Sequence, residues 1–109
     1  MRTTGESKME IQVKTKEEFD RAVASGRVVV DFWATWCGPC QMMGQVLASE
    51  FAPANPDVTI VKVNVDEAPE LAAEFGIMSI PALLCYRDGV RKASFVGVTS
   101  TDELKAALA

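Results

Sequence analysis

The chain has 109 residues, 49% of them hydrophobic and 24% charged, with a net charge of −4 at neutral pH and no histidine. That length and composition fit one globular domain with a core of its own. The acidic balance argues against nucleic acid as a partner, since no basic stripe exists to neutralise phosphates. No apolar run is long enough to span a membrane, and three cysteines are too few for a disulfide scaffold.

Residues 1–8 read as a flexible polar tail without a secretory signal, which points to the cytoplasm, and residues 9–109 as the folded domain. Ile11 and Val13 alternate with polar residues in a short first strand. Thr15 and Glu18 form a T-x-x-E capping box ahead of Phe19, Ala22 and Val23 at helical spacing, and Gly26 is expected to end that helix. Val28–Trp33 is β-branched and aromatic, apolar on both faces apart from Asp31, as expected of a central parallel strand. A helix starts near Cys37, with Cys40, Met43, Leu47 and Phe51 on one apolar stripe, and Pro53 and Pro56 mark its exit.

Val58–Val65 is the next strand. A short helix lies within Asp66–Gly76, with Pro69 early in it and Gly76 at its C-terminal cap. Ala82–Tyr86 and Val90–Val96 flank an Asp88-Gly89 turn and read as a hairpin. Ser100 and Glu103 cap a last helix carrying Leu104, Ala107 and Leu108. The order β-α-β-α-β-α-β-β-α predicts an α/β fold, a central mixed sheet flanked by helices on both faces.

The chemistry gathers in D-F-W-A-T-W-C-G-P-C, residues 31–40. A structural zinc site wants four Cys or His ligands; Cys37 and Cys40 supply two, Cys85 is distant, and a second chain or carboxylates would have to complete the set. A disulfide kept only for stability is also a poor fit, because a loop this short restricts the unfolded chain little. A reactive thiol pair fits better. Residues one helical turn apart have Cβ atoms about 5–6 Å apart, close to the 3.5–4.5 Å or so that a disulfide needs, so small adjustments open and close the bond. At a helix start, unpaired N–H groups and the positive end of the dipole favour a thiolate on Cys37, while Cys40 lies deeper and stays protonated. Pro39 suits an early helical position, and Gly38 lets another chain approach.

With W-C-G-P-C after V-V-V-D-F-W-A-T, then K-V-N-V-D-E-A-P-E-L-A-A-E-F-G-I-M-S-I-P-A-L-L, R-D-G-V and F-V-G-V, residues 9–109 resemble the thioredoxin family. The resemblance implies the thioredoxin fold and a thiol–disulfide oxidoreductase: a monomer with no bound cofactor or metal. It would act on disulfide-containing client proteins and draw electrons from NADPH through a thioredoxin reductase. Cys37 would be the nucleophile, Cys40 the resolving thiol, and Cys37–Cys40 the redox disulfide. Oxidising relatives often carry histidine between the cysteines; Gly38-Pro39 there implies a reductant. The rivals are a binding subunit in which the thiols are incidental, and a metal-bridged dimer.

The resemblance also weighs the supporting residues. Asp31 is either a strand-end acid touching water or a buried carboxylate, its pKa raised by desolvation, that takes the proton of Cys40; the resemblance favours the second. Lys62 interrupts a strand, where lysines usually face water, but the matching lysine in thioredoxins lies near the buried acid and tunes it. Ile80-Pro81 has no local reason to be cis; the resemblance implies a cis proline facing the cysteines, with the Ile80 backbone free to pair with a client segment. Trp36, Gly38, Pro39, Ile80, Pro81, Val96 and Gly97 would make the substrate-binding surface, although Trp36 taken alone reads as packed. Trp33, Cys85 and the methionines read as core. Gln41 stands where lysine or arginine is usual, Gln45 where a helix-kinking proline is usual, with Gly44 able to permit a bend, and Ala82 where threonine is commoner.

Overall fold

Two capping boxes bracket the chain. The Thr15 hydroxyl accepts from the Glu18 N–H at 3.1 Å while the Glu18 carboxylate accepts from the Thr15 N–H at 3.2 Å, and Ser100 and Glu103 repeat the exchange near the C-terminus. The computed structural model describes residues 10–109; the tail expected at residues 1–8 lies outside the described residues. Strands β1 (Glu10–Gln12), β2 (Arg27–Trp33), β3 (Val58–Asn64), β4 (Ala82–Arg87) and β5 (Val90–Val96) alternate with helices α1 (Lys16–Ala22), α2 (Gly38–Val46), α3 (Ala52–Ala54), α4 (Pro69–Glu74) and α5 (Thr101–Ala107). A π-helical turn, Leu47–Phe51, joins α2 to α3. With α2 through α3 taken as one helical segment, the order is the one expected.

The sheet runs β1-β3-β2-β4-β5. β1 and β2 are parallel to β3, whereas β4 is antiparallel to β2 and to β5. β2 is therefore central and buried, as its run of apolar residues requires, but parallel on one side only. Asp88 and Gly89 both take positive φ, 51° and 85°, the geometry of a tight hairpin turn. Gly26 is a correction: α1 stops at Ala22 with Val23 as its cap, and Gly26, at φ 76°, instead turns its N–H toward the Asp88 carboxylate at 2.8 Å.

Alternation along the strands separates two cores. Val28, Val30, Phe32, Val61 and Val63 pack with Phe19, Leu71 and Ala72 under α1 and α4. Val29, Ile60, Leu83 and Cys85 pack with Met43, Leu47, Phe51, Leu104 and Leu108 under α2 and α5. The stripe predicted along the long helix is thus fully inside. Its exit falls between Pro53 and Pro56, as expected, the helix continuing one residue past Pro53 to Ala54. Proline has no N–H and its ring collides with the carbonyl four residues back. The chain widens one turn ahead of Pro53, where the Ala52 N–H donates to Leu47 O in the π pattern. The irregularity falls there and not at Gly44.

Candidate active site

Where β2 ends, the chain turns through Ala34, Thr35 and Trp36 into α2. Cys37 is the N-cap, with φ −97° and ψ 111°, and its sulfur takes the acceptor position that a serine or aspartate usually fills. The Cys40 N–H donates to Cys37 Sγ at 3.2 Å. Pro39 sits in the first turn, where its missing N–H has no partner to lose. A Cβ added at Gly38 would meet nothing within 4 Å, so packing within this chain does not demand glycine there. Cys37 and Cys40 are joined as a disulfide, their Cα atoms 5.2 Å apart. Both are largely covered, 6% and 2% exposed, and they cluster with Ala34 against Trp33, Val65 and Ile80.

Asp31 is wholly buried. It shares a strand face with Val29 and so points toward α2. The β2–β3 register places it beside Lys62, with Nζ 3.0 Å from Oδ2. That is an ion-pair distance, although no donor meets hydrogen-bond geometry at either carboxylate oxygen. Burial pushes the Asp31 carboxyl above the ordinary carboxylate range; the Lys62 ammonium opposes the shift without cancelling it. The expectation that a strand lysine faces water fails: Lys62 is buried, because it shares the inward face with Ile60. Its amine also stands 5.4 Å over the Trp33 ring. A Cβ built on Gly44 would lie 3.4 Å from Lys62 Nζ. Gly44 and Cys40 are one turn apart on the same face of α2, so the ion pair lies beneath the turn that carries Cys40.

Ile80, Pro81 and Gly97 come together beside the cysteines. The Ile80–Pro81 bond is cis, and Ile80 O lies 3.8 Å from Cys37 Sγ. Pro81 O accepts from the Gly97 N–H at 2.8 Å, an approach made with Gly97 at φ 93°, where a side chain would be strained. Val96 is 72% exposed. Two tryptophan expectations need correction. Trp36 is not packed: it is 69% exposed and held by a 2.7 Å hydrogen bond from its Nε1–H to Asp66 Oδ2. Trp33 is only partly buried, and its Nε1–H has no partner. The methionines divide as well: Met43 is core, while Met42 and Met78 stand 59% and 94% exposed; Met1 and Met9 lie outside the described residues. Gln41 turns its amide back to Ala34 O and Thr35 O, each at 3.4 Å.

Asp66 escaped the sequence reading. The signal was Asn64 two residues earlier, whose side chain accepts from the Asp66 N–H at 2.9 Å; asparagine commonly bonds the backbone two residues on, and here that turn aims Asp66 at Trp36. Met43 was read only as core, yet its sulfur accepts from the Thr99 N–H at 3.2 Å, tying the segment after β5 to α2.

The thioredoxin family model matches residues 10–109. The chain belongs to the thioredoxin family. A thioredoxin from Alicyclobacillus acidocaldarius is 47% identical over 97 residues, covering 87% of this chain and 91% of its own. One from Staphylococcus aureus is 42% identical over 100 residues, covering 92% and 96%. Among solved structures, the oxidised mitochondrial thioredoxin 3 of Saccharomyces cerevisiae superposes with a TM-score of 0.80 at 30% identity, covering 96% of this chain and 97% of its own. Thioredoxins are protein-disulfide oxidoreductases, and Cys37 with Cys40 is the redox-active pair here. Among the described residues no three His, Cys, Asp or Glu side chains gather as a metal site, and no helix is long and apolar enough to cross a membrane.

Proposed function

We propose that this thioredoxin works as a reductant of protein disulfides, with Cys37 as nucleophile and Cys40 as resolving thiol. One observation carries the assignment: Cys37 Sγ receives a main-chain N–H at the start of α2, whereas Cys40, one turn on, is 2% exposed. Negative charge is stabilised at the helix start, so Cys37 is the sulfur that ionises first. Its thiolate attacks a client disulfide, forming a Cys37–client bond and releasing the other client sulfur as a thiolate. Cys40 then gives its proton to Asp31 and attacks Cys37 Sγ. The mixed disulfide breaks, the client leaves with two electrons gained, and Cys37–Cys40 is left oxidised. Lys62 tunes the proton affinity of Asp31.

Trp36, Gly38, Pro39, Val96, Gly97 and cis-Pro81 form the surface on which the client lies, and the Ile80 backbone pairs with it as an added strand would. Regeneration needs a two-electron donor, which we assign to NADPH through a thioredoxin reductase. We place it as a monomer in the cytoplasm, a reducing compartment that suits a thiol pair that must be kept reduced. The test is trapping. Cys40→Ser accumulates mixed disulfides with clients and Cys37→Ser does not; equal trapping by both variants defeats the assignment. Equilibration with glutathione checks the direction, since a potential well above the cytosolic glutathione poise reverses it.

A further inference from the structure

Among the described residues, the cations without a carboxylate partner lie toward one end of the strand axis, where Arg27 is paired with Asp57 at 2.7 Å. The register places Arg27 opposite Arg87 and Arg91 opposite Tyr86, at the end of the sheet remote from the cysteines. Arg27 and Arg87 both donate toward Leu108 O, where α5 finishes, and Arg21 lies in the last turn of α1, which returns to that same end. At the cysteine end the described cations are already matched: Lys62 with Asp31, Lys14 with Glu67, Lys16 with Asp20 and Glu74.

The segments that surround Cys37 carry no charge at all across 34–49, 76–86 and 94–101. They do present large apolar side chains to solvent. Trp36, Met42, Met78, Val96 and Val98 are between 48% and 94% exposed, an apolar surface that marks a docking site. The charges at its border are carboxylates: Asp66, held against Trp36 by a single oxygen, Glu70 in the first turn of α4, and Asp102 in the first turn of α5.

We infer that this docking face selects client segments that are apolar beside their disulfide cysteine and carry lysine or arginine within about two residues of it, a cation reaching the free oxygen of Asp66. The inference rests on the reductant reading and specifies its substrate class. The apolar centre supplies contact area without discriminating charge. The acidic border, facing no unmatched cation among the described residues, steers a basic segment in and repels an acidic one. Asp66 is the nearest of the three carboxylates in the chain of contacts, because Trp36 adjoins Cys37. Two residues of extended chain span about 7 Å, which a lysine side chain extends further.

Two cyclic peptide disulfides test this. They are identical, with leucine next to the cysteine, except for lysine or glutamate two residues from it. Single-turnover reduction by the pre-reduced protein is quenched in acid and followed by chromatography. The lysine peptide is expected to react about tenfold faster at low ionic strength, with the ratio falling toward one at high salt. Asp66→Asn keeps an acceptor for Trp36 and lowers the ratio at least twofold. Met78→Lys adds a cation at a fully exposed position and brings the ratio near one, with no folding risk. Equal rates for the two peptides, or a ratio that ignores salt and both variants, overturn the charge selection while leaving the reductant reading intact. Failure to reduce either peptide overturns both.

Discussion

Cys37 and Cys85 are the same residue type in two environments, and the contrast shows what makes a cysteine reactive. Cys37 stands at a break between β2 and α2, where helix geometry leaves N–H groups free to meet its sulfur. Cys85 stands mid-strand on β4, between Val29 and Ala93 and beside a register shift in the β4–β5 ladder, with no helix start to present free N–H groups to its sulfur. It is wholly buried, and burial pushes its thiol up to about 11. Cys40 is equally covered but lies above the Asp31–Lys62 pair. On the proposed mechanism, reactivity follows from backbone position and a neighbouring proton acceptor, since exposure barely separates the three cysteines.

The sharpest way to break this contrast is to remove the acceptor. Asp31→Asn keeps the shape of the side chain and cannot take a proton. We expect the resolving step to slow by about a hundredfold near neutral pH, the usual scale of a lost general base, with the first attack by Cys37 much less affected. Stability moves the other way. Because the folded protein holds the Asp31 proton to higher pH than the unfolded chain does, unfolding releases a proton in that window. Wild-type stability is fully present below the ordinary carboxylate pKa and declines as pH rises toward the folded value, by at most about 1.4 kcal/mol per pH unit. Asp31→Asn lacks that contribution, so its advantage over wild type is larger at pH 8 than at pH 4. Denaturant midpoints across pH check it; parallel curves for the two proteins would mean that Asp31 ionises as freely as in an open chain.

The mirror experiment is at Cys85. Cys85→Ser places a hydroxyl among the apolar side chains of Val29, Leu83 and Phe95, at a cost of about 1–3 kcal/mol. The folded variant should reduce disulfides at the wild-type rate. In the native, reduced wild type, an alkylating reagent at pH 8 should label Cys37 and spare Cys85. Rapid labelling of Cys85 would show that this part of the sheet opens readily, and the contrast between the two regions would then be one of dynamics.

These two regions were not equally legible from residues alone. Local signals were read directly: both capping boxes, the Asp88-Gly89 turn and the Cys40–Phe51 stripe each depend on neighbours within a turn or two. The strand Val28–Trp33 announced its burial by having no polar face. Lys62 was different. Its inward orientation follows from the pairing of β3 with β2, which a periodicity argument does not reach, and a lysine amid β-branched residues ordinarily points out. Trp36 likewise needed Asp66, 30 residues away, to hold it against the surface. The cis bond at Pro81 had no local cause; only the likeness to thioredoxins suggested it. Roles that arise from register and from long-range contacts are where pattern reading stops.

The smallest test probes packing around the ion pair. Gly44 lies inside α2, where glycine costs about 1 kcal/mol relative to alanine. Ordinary core packing would leave no room for an added methyl, as around Cys85. Here the Cβ would stand 3.4 Å from Lys62 Nζ and meet nothing nearer, an ordinary contact with the end of a flexible side chain. Gly44→Ala should therefore stabilise the protein, by roughly 1 kcal/mol or somewhat less. It should also leave Lys62 within reach of Asp31, so the pH dependence of stability keeps its wild-type slope. If stability rises but the slope changes, the methyl has moved the ammonium, and the space beside Gly44 sets the strength of the pair. A loss of stability would mean instead that the turn of α2 above Lys62 is packed as tightly as the strand around Cys85.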